Sequence, residues 1–130
     1  MVWGRILEEA RALYWEDYWK AARCDLLPAP LNVVVFDVAV NSGPGFALRM
    51  LQEVLGVSVT GRWDRRTQAA LEALQPSDLR DVTERLLNLG ERFYRQRVLT
   101  DPTQLRYWRG WLGRVARLRE YCREFWGTLQ

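Results

Sequence analysis

Histidine is absent from the 130 residues, lysine occurs once, as Lys20, and cysteine twice, as Cys24 and Cys122. Without imidazole, the commonest general base and the commonest metal ligand are both missing. A zinc site would have to lean on carboxylates, so the sequence predicts no metal and no cofactor. No run of about 18 apolar residues occurs, which excludes a helical membrane span. Nothing is low-complexity. The opening Met1-Val-Trp-Gly-Arg-Ile-Leu-Glu-Glu9 puts charges where a signal peptide needs a continuous apolar stretch. No secretory signal is read there, and synthesis in the cytoplasm is expected.

What is present fits one domain: 48% of the residues are hydrophobic, 27% charged, and the net charge is +3. The charge is unevenly placed. Residues 1–79 carry eight basic and ten acidic side chains, whereas residues 80–130 carry eleven arginines against six acids. The C-terminal cationic excess suits an anionic partner, although a solvated Arg-rich helix surface gives the same count. Eighteen arginines against one lysine also fit a GC-rich genome. Cys24 and Cys122 stand 98 positions apart and read as two buried thiols, with a disulfide open only in an oxidising compartment.

Periodicity predicts helices almost throughout. From Trp3 to about Arg23, the residues Ile6, Leu7, Ala10, Leu13, Tyr14, Tyr18 and Ala21 recur at helical steps. Pro28 and Pro30 close the following loop. The segment Leu31-Asn-Val-Val-Val-Phe-Asp37-Val-Ala-Val-Asn41 has three consecutive valines, which favour a strand on propensity. A lone strand could not satisfy its backbone, so a helix is predicted instead, with Asp37 and Asn41 on one narrow polar stripe. Ser42-Gly-Pro-Gly45 breaks it, a short helix runs from Phe46 to Leu55, and 57–63 is an extended turn or at most a tiny hairpin. Asp64 caps a helix through Leu74. Ser77 or Asp78 caps a longer one to about Val98. Asp101-Pro102 opens the last helix, with Leu105, Trp108, Leu112, Val115, Leu118, Cys122 and Phe125 in period. The predicted fold class is all-α, a helical bundle of one domain. Most of the seven Trp and five Tyr read as core, with Trp15, Tyr18 and Trp19 set apart by their nearness to the polar stripe.

A longer constellation carries a resemblance. The order Tyr18-Trp19-Lys20, Asp25-Leu-Leu-Pro28, Val35-Phe36-Asp37-Val-Ala-Val-Asn41-Ser-Gly43-Pro-Gly, Leu51-Gln52, Leu55-Gly56-Val57, Thr60-Gly61 and Thr67-Gln-Ala-Ala-Leu71 resembles the glycoside hydrolase family 108 muramidases. Gly110-Trp-Leu-Gly-Arg-Val115 is similar to that family's final helix. The resemblance implies a lysozyme-like core over about 1–75, a C-terminal helical pair over about 76–130, and a peptidoglycan partner. It places Asp37, Asn41, Trp19 and Tyr18 as substrate-binding candidates. Asp37 and Asn41 also have a structural reading, capping or pairing within the fold, which stands slightly ahead. The family's catalytic Glu lies in a Glu-Gly-Gly-Tyr motif upstream of the Tyr-Trp segment, and no Glu-Gly-Gly occurs in this sequence. No catalytic residue is therefore assigned, and independent muramidase activity is not expected. Thr60 and Asp64 also replace an Asp and a Gly usual in the family.

Two further functions compete. A repurposed lysozyme-like scaffold of phage or prophage origin would bind a protein through Arg106, Arg109, Arg117 and Trp111, residue types that often dominate interfaces. A nucleic-acid partner is the weakest reading, because no helix-turn-helix signature occurs and the arginines are dispersed.

Overall fold

The computed structural model describes residues 15–128 and divides after Leu74 into two units, Met1–Leu74 and Gln75–Gln130. Among the described residues every regular element is helical. Of the helix predicted over 3–23, residues 3–14 lie outside the described residues. The remainder is not α-helical: Trp15–Trp19 is a π-helical turn and Cys24–Leu26 a 3-10 turn. The backbone tightens where Arg23 N–H donates to Lys20 O, and Arg23 itself turns left-handed at φ 58°. Both features end regular α geometry.

The triple-valine segment is helical, as α1 (Leu31–Ser42). Leu31, Val34, Val35, Val38 and Ala39 are its buried residues, a three-and-four spacing that sets one continuous stripe into the core. That burial outweighs the few tenths of a kcal/mol per residue that valine costs a helix. Gly43 ends α1 at φ 94°, ψ 151°, a backbone region open to little but glycine. Its N–H still closes the last turn on Ala39 O. Pro44 then opens α2 (Pro44–Leu55), where its fixed φ and missing N–H cost nothing at the first helical position. The two helices pack on one another, and Ala47, Leu48, Met50 and Leu51 are the buried apolar residues of α2.

The loop after α2 is not a hairpin. It is organised by Gln52, a fully buried amide. Its Oε1 accepts from Thr60 N and Gly61 N, both at 2.9 Å. Its Nε2 reaches Arg62 O at 2.8 Å and the hydroxyls of Thr60 and Thr67 at 3.1 Å, two hydrogens shared among three acceptors. The two backbone donors fix which end is oxygen. Gly61 sits at φ 76° beneath the Arg49 side chain, whose Nε lies 3.1 Å from where a Cβ would stand. Asp64 caps α3 (Arg65–Glu72), its Oδ1 accepting from Thr67 N at 2.9 Å and Thr67 Oγ1 at 2.8 Å.

In the second unit, α4 runs over Pro76–Thr100. Its N-cap is Gln75, two residues before Ser77 and three before Asp78, the predicted caps. Asp78 serves from the third helical position, accepting from Gln75 N at 3.1 Å. The final helix also begins later than predicted. Asp101 caps a 3-10 turn, Pro102–Tyr107, through Thr103, and α5 starts at Trp108 and ends at Gly127. The 3-10 turn rotates Leu105 out of the helical stripe, leaving it 60% exposed. Within this unit the buried side chains are Val82, Thr83, Leu86, Leu87 and Tyr94 from α4, with Val115 and Cys122 from α5.

Replacing Gln52 with leucine should cost about 2 kcal/mol of unfolding free energy, because the N–H groups of Thr60 and Gly61 lose their acceptor. Urea denaturation measures it, and a loss under about 0.5 kcal/mol would show that water satisfies the loop equally well.

Candidate functional site

On α1 the residues flanking the buried stripe are Val33, Phe36, Asp37, Val40 and Asn41, all half-buried. They recur at three- and four-residue steps, so they form one partly open edge along the helix. The preceding π-helical turn supplies aromatics to it. Trp19 packs edge-on against Phe36, with ring centroids 5.3 Å apart and planes at 63°, a geometry worth about 0.5–1.5 kcal/mol beyond burial. This brings Trp19 within one residue of Asp37 along the edge. Tyr18 is half-buried in the same turn, and its carbonyl accepts from Ala22 N. Asn41 donates through Nδ2 to the backbone carbonyl of Asp37 at 2.8 Å. That bond lies within α1, and its acceptor is the Asp37 backbone rather than its carboxylate. Trp15 falls where no side chain is described.

The arginine set is distributed differently. Trp111 is half-buried and stacked on Tyr94, with centroids 5.0 Å apart and planes at 16°, and Tyr107 is tilted against it at 5.8 Å. Arg97 lies over Trp111 at 5.5 Å and Arg106 over Tyr107 at 4.8 Å, so much of the ring surface there is covered by cations. Arg106, Arg109 and Arg117 are exposed.

Two groups escaped the sequence reading. Gln52 looked like one more polar residue on an amphipathic helix. Its only signal was a position one step from Leu51 and four from Leu48, inside the buried arc. The second is a groove between α4 and α5, about 270 Å³ in volume, lined by Arg80, Glu84, Leu87, Asn88, Arg119, Arg123 and Trp126. The steps from 80 to 84 and from 119 to 123 and 126 are helical neighbours, a spacing legible in the sequence but not distinguishable there from a solvated face.

The displaced acidities are structural in origin. Asp64 is held below the ordinary carboxylate range first by the Thr67 backbone and hydroxyl bonds, which outweigh the opposing effect of burial, with smaller help from Thr60 and Arg66. Asp101 is lowered in the same way by Thr103. Cys24 is pushed up to about 12 by burial and then by the Asp25 charge. Cys122 rises to about 11, burial and Glu84 raising it while Arg119 opposes. Both thiols are unbridged and buried. Neither has the thiolate character of a nucleophile. Among the described residues no cluster of three or more Cys, Asp or Glu could hold a metal ion, and no helix is long and apolar enough to cross a membrane.

Residues 3–43, which include Tyr18, Trp19 and all of α1, match the glycosyl hydrolase 108 family. A solved structure of Brucella abortus SagA superimposes with a TM-score of 0.69 at 29% identity, covering 91% of this chain. The chain is similar to the glycosyl hydrolase 108 family over residues 3–43, and its helical fold is like that of SagA. It spans 64% of the SagA chain it matches. No curated protein sequence matches it. In this lysozyme-like fold, the family match and the open edge of α1 coincide, whereas the α4–α5 groove lies beyond the matched residues.

Two measurements follow from the titrations. Because the folded Asp64 carboxyl is depressed, its stabilisation is complete above the ordinary value of 3.8 and is lost as pH falls through the lower folded value. Asp64→Asn, which keeps an acceptor oxygen, should therefore flatten the acid limb of the stability profile below about pH 4. Both cysteines should react with a thiol reagent at pH 8 at least about a hundredfold more slowly in the native chain than in denaturant.

Proposed function

We propose that the chain is a peptidoglycan-related, wall-directed module that holds glycan along the open edge of α1 and does not hydrolyse it on its own. The observation that carries this reading is the coincidence of the family match with that edge. Trp19 and Phe36 offer an aromatic border, and Asp37 and Asn41 offer polar groups beside it, the combination that suits a sugar ring with hydroxyl and N-acetyl substituents. Tyr18 extends the border in the same turn.

Glycoside hydrolysis needs a proton donor whose acidity is weakened so that it stays protonated at working pH. Asp64 and Asp101 are shifted the opposite way, by helix-cap bonds that favour the charged form. The sequence also contains no Glu-Gly-Gly, the motif expected to carry the catalytic acid.

A protein-binding role has its own support. Leu99 is 76% exposed, and Leu105 and Tyr107 are also open to solvent beside Arg106, an apolar and cationic corner of the kind that anchors partners. In that reading the chain is a repurposed scaffold, of phage or prophage origin, and Arg109 and Arg117 belong to the same surface.

The pure chain should co-sediment with purified cell walls yet fail to clear their turbidity. Asp37→Ala should weaken sedimentation about tenfold, the worth of one charged hydrogen bond, with an unchanged helical circular-dichroism spectrum. The Asn41 bond survives this substitution because its acceptor is the Asp37 backbone. Efficient clearing would overturn the non-hydrolytic assignment, and stable capture of a protein without wall binding would favour the second reading.

A further inference from the structure

The groove between α4 and α5 is small, near the lower end of ligand-site volumes, and strongly one-sided in chemistry. Leu87 and Trp126 give it an apolar wall. Arg80, Arg119 and Arg123 bring three guanidinium groups against one carboxylate, Glu84.

Those guanidiniums are incompletely used. Arg119 donates to Asn88 Oδ1 at 2.9 Å, but its approach to Glu91 is 3.9 Å, outside hydrogen-bond reach. Arg123 stands 3.6 Å from Glu120 and is 71% exposed. Arg80 lies over Trp126, its Cζ 4.7 Å from the ring centroid, with Nε 3.5 Å from Glu84. Each guanidinium carries five N–H donors in a planar fork, so several remain for a ligand oxygen pair. Arg119 is the anchor, since it is 31% exposed and already oriented by Asn88.

The geometry points to a binding site for the carboxylate end of a peptide. Arg119 and Arg123 take the two carboxylate oxygens, the planar match that guanidinium makes best. Glu84 accepts the N–H of the terminal residue, and Leu87 and Trp126 cover its side chain. Glu84 also disfavours a phosphate, whose second negative charge it would repel. The site is built wholly from residues of the second unit, and it does not rest on the wall-binding reading.

Such carboxylate ends occur both on peptide stems of cell-wall polymer and on protein C-termini, and one titration separates them. Heteronuclear NMR of the full chain would follow acetyl-Lys-D-Ala-D-Ala, acetyl-Lys-Ala-Ala of all-L configuration, the C-terminal amide of each, and inorganic phosphate. A free-acid peptide should saturate at about millimolar concentration or below, shifting Trp126 and Arg119 signals, and its amide should bind about tenfold more weakly. The tighter stereoisomer names the source. Arg119→Gln should cost about tenfold in affinity. Arg123→Gln, at an exposed position that folding does not need, should cost severalfold. Equal binding of acid and amide, tighter binding of phosphate than of any peptide, or full affinity in both variants would overturn the assignment.

Discussion

The buried amide of Gln52 is the interaction on which the rest of the first unit depends. A side-chain amide in a core is costly unless its four hydrogen-bonding positions are met. Here they are met by a loop that has no regular structure of its own. Thr60 N–H and Gly61 N–H are adjacent donors, and Gln52 Oε1 accepts from both. Nε2 then passes the connection to Thr67 Oγ1, which donates onward to Asp64. One residue of α2 therefore fixes the loop, the cap of α3 and the ionised state of its capping carboxylate. α1 and α2 pack together, but this network decides where the chain goes after Gly56.

Part of this was legible. The three valines of α1 misled propensity, yet the absence of a partner strand decided for helix, and the buried arc at 31, 34, 35, 38 and 39 shows why. Asp64 as a cap followed from its type and place. Gln52 did not, because a polar residue on a helix reads as solvated unless its loop partners are known. Leu105 failed for a different reason. Periodicity continues smoothly from Leu105 to Leu112, whereas the Asp101–Thr103 bonds and Pro102 impose a tighter 3-10 turn that rotates the residue outward. The edge of α1 was visible as a polar stripe, but the contact of Trp19 with Phe36 required the π-helical turn that no spacing announces.

The two surfaces differ in how they are made. Along α1 the polar groups sit on one helix whose other face is fully committed to the core, so position there is set by packing. Trp19 adds a ring at a fixed angle, and Asn41 is held by its own helix. Such an edge suits a neutral, hydroxyl-rich polymer that gains from many weak contacts. The α4–α5 groove is made of long side chains from two helices, set by charge rather than by packing.

The arginine excess of the second unit takes a different meaning once its partners are known. Arg80, Arg85, Arg95, Arg119 and Arg123 all face an acid, mostly one helical turn away, and Arg97 and Arg106 lie over aromatic rings. The unit keeps its cationic excess, but five of its eleven arginines are drawn toward acids, so the charge is broken up by pairs rather than packed into the basic run that gathers nucleic acid. Exposed pairs of this sort contribute about 0–1 kcal/mol each, and several here are stretched beyond hydrogen-bond distance. A ligand carboxylate that meets a guanidinium fork at closer range thus exchanges a weak contact for a strong one. Where two such arginines flank an apolar wall, as Arg119 and Arg123 do beside Trp126, the exchange is favourable and directional.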